Sequence, residues 1–220
     1  MTNKIPVFDI GDTLVPSREY ASRIIEDELR QRNNHPVHKF DPAKFMMYDP
    51  EEVQKYLDLH EIDGDAEKLA KDCREKYLEA FEHLMIEHEI FDLFARCNQE
   101  FGTVGIISDN SKEMKHLIQD LLDKHEVEIN TITISDEVGT EKPDKEIFEA
   151  FLEEREESAE NFVYIGNDAE RDKGAKEVGM KFIWTKQFDT LNTSYQGPQI
   201  NKLEFENLKK KIQELEQNNK

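Results

Sequence analysis

Polar side chains of three kinds follow four short apolar runs of the sequence. In chain order they are the carboxylate of Asp9, the hydroxyl of Ser108, the ammonium of Lys142 and the carboxylate pair of Asp168 and Asp172. A carboxylate can attack a phosphate ester when both charges are neutralised, which an ammonium and a Mg²⁺ ion held by oxygen ligands can do. These residue types predict a phosphoryl-transfer site in which Asp9 and the acidic pair hold the ion.

Five short apolar runs with β-branched or aromatic residues can each form a buried strand. They cover residues 5–8, 103–107, 131–134, 162–165 and 181–184, and most are separated by stretches with helical spacing. Strands that alternate with helices predict an α/β fold with a doubly wound parallel sheet. The carboxyl ends of such strands share one edge of the sheet, where ligands bind. The polar residues should therefore meet at that edge.

Residues 15–100 contain no convincing strand and keep apolar residues at helical spacing for long stretches. The longest stretch begins after Asp65, a candidate N-cap, and runs in steps of three and four from Ala66 to Phe91. We therefore predict a core domain of residues 1–14 and 101–220, with a helical domain of residues 15–100 inserted after the first strand. Residues 187–201 show no periodicity and predict a loop.

The composition excludes several classes of partner. The 220 residues include 29 Lys and Arg against 49 Asp and Glu, a net charge of −20. Nucleic acids and anionic membranes are bound by basic surfaces, so neither is expected as a partner. The two cysteines exclude a disulfide framework and a zinc site of four thiolates. Because neither a signal segment nor a long apolar window is visible, we expect a cytoplasmic protein. The sequence leaves its oligomeric state open between a monomer and a homodimer.

The order of these residues resembles the motifs of the haloacid dehalogenase (HAD) superfamily of hydrolases. Residues 9–14 are similar to the first motif, Ser108 to the second, Lys142 with Pro143 to the third, and residues 166–172 to the fourth. The resemblance covers most of the chain. It implies an α/β HAD-type Rossmannoid core with a five-stranded parallel sheet and a helical cap of the C1 type. It also implies Mg²⁺-dependent hydrolysis of a small phosphomonoester, a phosphorylated metabolite.

The resemblance further implies a role for each site residue. Asp9 would be the nucleophile that forms an aspartyl-phosphate, and Lys142 would be the charge partner of Asp9 and of that intermediate. The phosphoryl oxygens would be bound by Asp9, Ser108, Asp109, Asn110 and Lys142. The ligands of the metal would be Asp9, the carbonyl of Gly11, Asn167, Asp168 and Asp172.

Two positions depart from the family pattern. Phosphatases of the family carry a second aspartate, two residues after the nucleophile, as general acid and base, and here that residue is Gly11. Such assistance contributes about 10²–10⁴-fold to the rate, so we expect slow turnover. Asp12 either substitutes for the missing aspartate or is only a turn residue. In the fourth motif Asn167 stands where an aspartate is more common, which leaves either Asn167 or Asp168 as a metal ligand.

These departures leave two alternative functions open. A HAD-like binding or regulatory protein would keep the fold and the metal site but lack useful catalysis, because of Gly11. A 2-haloacid dehalogenase would use the Asp9 nucleophile without a metal, although the retained Asp168 and Asp172 argue against it. The substrate depends on side chains of the insert, whose directions the sequence does not give.

Overall fold

The computed structural model describes residues 4–33, 49–188 and 194–217. Its strands are β1 (Ile5–Phe8), β2 (Gly105–Ser108), β3 (Thr131–Ile134), β4 (Phe162–Gly166), β5 (Lys181–Thr185) and β6 (Gln199–Ile200). Its helices are α1 (Ser17–Asn33), α2 (Pro50–Leu59), α3 (Ala66–Glu87), α4 (Ile90–Phe101), α5 (Lys112–Lys124), α6 (Ser135–Val138), α7 (Glu146–Arg155), α8 (Lys173–Glu177) and α9 (Phe205–Gln217). Residues 34–48 of the predicted insert lie outside the described residues.

The strands form one parallel sheet in the order β3-β2-β1-β4-β5-β6. The predicted α/β class is confirmed, and all five predicted strands are present within about two residues of their expected ends. The sixth strand, β6, corrects two predictions: the sheet is not limited to five strands, and residues 199 and 200 are not loop. This short strand pairs with β5 at the edge of the sheet.

The central strand β1 contains a proline, which a central strand usually excludes because it lacks a backbone donor. The N–H of Asp9 donates to the carbonyl of Ile165, on the β4 side of β1. Because backbone groups alternate along a strand, the nitrogen of Pro6 faces the β2 side instead. The pairing of β1 with β2 begins only at Val7. The missing N–H of Pro6 therefore does not remove a hydrogen bond between β1 and β2.

Aromatic rings pack helix α7 against the sheet. Phe148 meets Tyr164 edge to face at 5.1 Å between ring centres, and Phe151 meets Phe162 in the same way at 5.2 Å. Such pairs combine large buried area with a favourable ring geometry. Strand β2 begins at Gly105, where a Cβ atom would lie 2.6 Å from the ring of Phe151. The close approach of α7 to β2 therefore depends on a glycine at this position.

The chain divides into two compact units, one of Met1–Val15 with Met85–Lys220 and one of Pro16–Leu84. The second unit contains α1, α2 and all but the last three residues of α3. Asp65 caps α3 as predicted, because its Oδ1 accepts the N–H of Lys68 at 3.0 Å. Within this unit the hydroxyl of Ser17 is hydrogen-bonded to that of Tyr77, and Lys76 forms an ion pair with Glu28.

The helical unit ends at Leu84, whereas the predicted insert runs to residue 100. The apolar spacing continues past residue 84, but the helix breaks at Glu89, whose φ is 56°. Helix α4 then packs against the sheet, with the ring of Phe94 5.4 Å from that of Phe8. A periodic pattern alone does not reveal which surface its apolar face contacts. Among the helices in the described ranges, none combines the length and apolar character needed to cross a membrane.

Candidate active site

Asp9 extends the central strand and carries the carboxylate around which the site is built. Its side chain is almost buried, because the residue is 7% exposed. Its Oδ1 accepts the hydroxyl of Ser108 at 2.8 Å and lies 3.0 Å from Nζ of Lys142. Both contacts use the same oxygen, and Oδ2 accepts no hydrogen bond from the described part of the chain. The arrangement fixes the carboxylate and leaves one oxygen available for chemistry.

Lys142 is held from three sides. Its Nζ lies 3.0 Å from Oδ1 of Asp9, 3.1 Å from Oδ1 of Asp172 and 3.1 Å from the hydroxyl of Tyr164. The Tyr164 hydroxyl in turn donates to the carbonyl of Ile107 at 3.0 Å. An ammonium has three N–H donors, and each has one acceptor here. The side chain is therefore committed to orienting the carboxylates of Asp9 and Asp172.

Burial and charge act in opposite directions on this cluster. Burial lowers the pKa of Lys142, but the nearby carboxylates, first of all Asp172 and Asp9, raise it more, so the side chain remains an ammonium. Burial raises the pKa of Asp172 to about 7, although the Lys142 ammonium opposes the shift. Burial, followed by the charge of Asp172, also raises the pKa of Tyr164 well above its ordinary value, so this residue stays a neutral phenol.

The loop after β2 carries two more predicted phosphate ligands. The side-chain amide of Asn110 donates to Oγ of Ser108 at 3.0 Å, and its backbone N–H donates to Oγ of Ser135 at 3.1 Å. Asp109 has both carboxylate oxygens engaged, because Oδ1 accepts the backbone N–H of Lys142 at 2.9 Å and Oδ2 accepts Arg171 at 2.7 Å. Asn110 thus supports Ser108, and Asp109 connects two other loops of the site.

The loop after β4 turns Asn167 and Asp168 in different directions. Oδ1 of Asn167 accepts the hydroxyl of Thr13 at 3.3 Å, so its amide faces the turn that follows Asp9. Oδ1 of Asp168 instead accepts the N–H groups of Glu170 at 3.0 Å and of Arg171 at 3.2 Å, which caps its own loop. The N–H of Asp168 donates to Oδ2 of Asp172 at 3.2 Å, and Asp172 is fully buried.

The turn after Asp9 is tight. Gly11 forms an isolated bridge with Val15, and the N–H of Asp12 donates to the carbonyl of Val15 at 2.8 Å. Asp12 adopts a φ of 55°, which aspartate tolerates better than most residues. It is only 1% exposed, so it is not a solvated turn residue.

The oxygen atoms at the edge of the sheet suit a magnesium ion better than a metal that prefers nitrogen or sulfur. Across the described residues, no three His, Cys, Asp or Glu side chains form a group that could hold a metal. One carboxylate from Asp9, the amide oxygen of Asn167 and the carbonyl of Gly11 are all hard donors. Mg²⁺ is commonly held by one or two carboxylates, with water and substrate oxygens completing its shell. The donor set therefore fits Mg²⁺.

Two residues of this site were missed by the sequence reasoning. Tyr164 lies in an apolar strand, and its phenol is the only side-chain polar group of β4, a signal that could have identified it. Arg171 pairs with Asp109, which is 62 residues away along the chain, so no local pattern indicates the contact.

Comparisons with known proteins agree with this fold. The profile of the haloacid dehalogenase-like hydrolase family matches residues 6–185, and the chain belongs to that family. The HAD-hydrolase YfnB from Bacillus subtilis, solved bound to magnesium, is 21% identical, with coverage of 97% of this chain and 100% of that chain and a TM-score of 0.73. CbbY from Rhodobacter sphaeroides, solved with phosphate, is 20% identical, with coverage of 92% and 95% and a TM-score of 0.64.

A β-phosphoglucomutase from Clostridium difficile shares the fold at 13% identity, with coverage of 96% of this chain and 98% of that chain and a TM-score of 0.61. No curated protein matches the sequence. The family assignment makes the chain a HAD-like hydrolase whose structural relatives include phosphatase-type enzymes.

Proposed function

We propose that the protein is a Mg²⁺-dependent phosphatase that hydrolyses a small phosphomonoester through an aspartyl-phosphate at Asp9. The observation that carries the proposal is the state of the Asp9 carboxylate. Ser108 and Lys142 hold its Oδ1 at 2.8 and 3.0 Å, whereas Oδ2 accepts no hydrogen bond from the described residues. A fixed carboxylate with one available oxygen is what nucleophilic attack on phosphorus requires.

The reaction has two displacements at phosphorus. In the first, a carboxylate oxygen of Asp9 attacks, the bond to the ester oxygen breaks, and the leaving alkoxide takes a proton from water. In the second, a water oxygen attacks, the bond to Asp9 breaks, and inorganic phosphate leaves. The Lys142 ammonium offsets negative charge in both steps, while the hydroxyl of Ser108 can turn from Asp9 to a phosphoryl oxygen.

Asp9, the carbonyl of Gly11 and the amide oxygen of Asn167 would hold the metal. Bound Mg²⁺ would supply positive charge to the phosphoryl oxygens. We assign the ligand from the fourth motif to Asn167 rather than Asp168, because Asp168 caps its own loop. The magnesium bound to YfnB and the phosphate bound to CbbY support the proposal of a metal and a phosphate site by analogy, without bearing on which residue is the ligand.

Gly11 sets the expected rate. Without a general acid and base at this position, turnover should be about 10²–10⁴-fold below that of an enzyme that has one. Asp12 is buried one residue further on and is the candidate substitute. Gly11 also favours a second candidate function, a HAD-like protein that binds a phosphorylated metabolite without useful turnover. In either case, the helical insert would be the cap that selects the ligand.

A panel of phosphomonoesters, assayed with Mg²⁺ and with EDTA, tests the proposal. We expect slow phosphate release that requires Mg²⁺ and is lost in Asp9→Asn, whereas the exposed control Asp92→Asn keeps the wild-type rate. Unchanged activity in Asp9→Asn would overturn the proposal. Binding of Mg²⁺ and phosphate without turnover of any ester would favour the binding protein, and chloride release from a 2-haloacid in EDTA would indicate a dehalogenase.

A further inference from the structure

The backbone of Lys142 is held as firmly as its ammonium. Oδ1 of Asp109 accepts the N–H of Lys142 at 2.9 Å, while the Nζ of Lys142 lies 3.0 Å from Asp9 and 3.1 Å from Asp172. The residue is therefore anchored at both ends. Since the ammonium has to meet two carboxylates at once, a shift of the backbone would spoil both contacts.

Asp109 is itself fixed by an arginine from another loop. Its Oδ2 accepts Arg171 at 2.7 Å, and Arg171 also lies 3.8 Å from Glu141, the neighbour of Lys142 in the chain. Arg171 immediately precedes Asp172. Two adjacent residues therefore act on opposite ends of Lys142. Asp172 contacts its ammonium directly, and Arg171 acts on its backbone N–H through Asp109.

The charge of Asp109 requires such a partner. Its carboxylate is 16% exposed and directly follows Ser108, which we assign to phosphate binding. An unneutralised carboxylate beside an anionic substrate would repel it. Arg171 offsets this charge, and the carboxylates of Asp109, Glu141 and Asp168 act on its guanidinium.

We propose that the Asp109–Arg171 ion pair is a positioning device that holds the backbone of Lys142 in register with Asp9 and Asp172. The proposal rests on the phosphatase function proposed above. Asp109 and Arg171 are positioning residues, because neither has to touch the substrate. Their roles are coupled: Arg171 matters because it holds a charged Asp109, and Asp109 matters because it holds Lys142.

A double-mutant cycle of Asp109→Asn and Arg171→Met tests the coupling on the most active ester of the panel. We expect each single variant to lower kcat about 10- to 100-fold, with a much smaller change in KM, because misplacement of a reacting group has effects of this size. The double variant should be no worse than the poorer single variant. Arg171→Lys, which keeps the charge and most of the length, should restore much of the rate.

The control is Arg96→Met, which removes a more exposed arginine–carboxylate pair with Glu206 outside the site. The positioning role is overturned if the losses of the two single variants multiply in the double variant. It is also overturned if Arg171→Met lowers kcat no more than Arg96→Met does.

A measurement without substrate separates this proposal from the phosphatase function. Hydrogen exchange of the Lys142 amide, followed by NMR in the full-length protein, should be faster in Arg171→Met than in the wild type and unchanged in Arg96→Met. If the wild type turns over no ester, the proposed function fails and the exchange rate alone decides. Equal exchange in Arg171→Met and wild type would overturn the positioning role.

Discussion

The two compact units each contain a lysine–carboxylate pair, in opposite surroundings. In the sheet unit the side chains of Lys142 and Asp172 are 4% and 0% exposed, whereas in the helical unit those of Lys76 and Glu28 are 47% and 12% exposed. The pKa of Lys76 is raised chiefly by its hydrogen bond to Glu28. For Lys142 the largest influence is burial, which lowers the pKa and which the carboxylates must overcome.

This difference shows how the same residue types serve different purposes. The pair of Lys76 and Glu28 keeps part of its hydration through the half-exposed lysine, and a solvated ion pair contributes about 0–1 kcal/mol. A buried pair has lost its hydration, so each partner is needed to offset the charge of the other. The sheet unit therefore keeps a cluster that costs stability to assemble, which is expected where a charge has a chemical task.

Replacement of the lysine in each pair, Lys142 or Lys76, should give the largest difference in the free energy of unfolding. Lys142→Met leaves the carboxylates of Asp9 and Asp172 buried without their common cation, and we expect the free energy of unfolding to fall by about 3–5 kcal/mol. Lys76→Met should change it by about 0–1 kcal/mol. Urea unfolding of both variants measures the difference. Similar losses would mean that burial does not distinguish the two pairs.

The dependence of stability on pH should also differ. The pKa of Asp172 rises from 3.8 to about 7 on folding. A carboxyl with a raised pKa contributes stability below its unfolded pKa and loses it as the pH rises through the folded value. From about pH 4 to about pH 7, we expect the wild type to lose stability relative to Asp172→Asn, by the order of a few kcal/mol.

Urea unfolding of the wild type and of Asp172→Asn across this pH range measures the effect. Parallel curves for Asp172→Asn and wild type would contradict the prediction.

The smallest expected difference in stability is between variants of two buried tyrosines, one in each unit. Tyr164→Phe removes a partner from Lys142 and leaves the carbonyl of Ile107 without its donor, which should cost about 1–3 kcal/mol. Tyr77→Phe removes a bond to Ser17, which is only partly buried and can turn to water, so about 0.5–1.5 kcal/mol is expected. Thermal unfolding compares them, and a larger loss in Tyr77→Phe would reverse the comparison.

The sheet could be predicted from the sequence because buried parallel strands are short apolar runs with polar residues at their ends. Because Asp9, Ser108 and Lys142 each follow a strand of this sheet, the sequence also predicts that they lie close together. In the structure Oδ1 of Asp9 lies 2.8 Å from the hydroxyl of Ser108 and 3.0 Å from Nζ of Lys142. The boundary of the insert was harder to predict. Its apolar spacing runs on through α3 into α4, and the break at Glu89 has neither a glycine nor a proline to mark it.

The rest of the site depends on side-chain directions. Asn167 and Asp168 are neighbours of similar shape, and only the course of the loop turns one towards Thr13 and the other back to its own backbone. The resemblance predicts that Asp109 binds phosphate, but the sequence does not indicate its hydrogen-bond partners within the chain. These partners, Lys142 and Arg171, come from loops more than 30 residues away in the chain, and only the folded sheet brings them together.

The hydrogen bond between Trp184 and Asn167 places a fluorescent side chain next to the loop after β4. The chain has a single tryptophan, and its indole N–H donates to the carbonyl of Asn167 at 2.6 Å while its ring is 2% exposed. All tryptophan fluorescence therefore originates one hydrogen bond from the loop to which we assign the metal ligand. The protein carries its own unlabelled reporter for events at that loop.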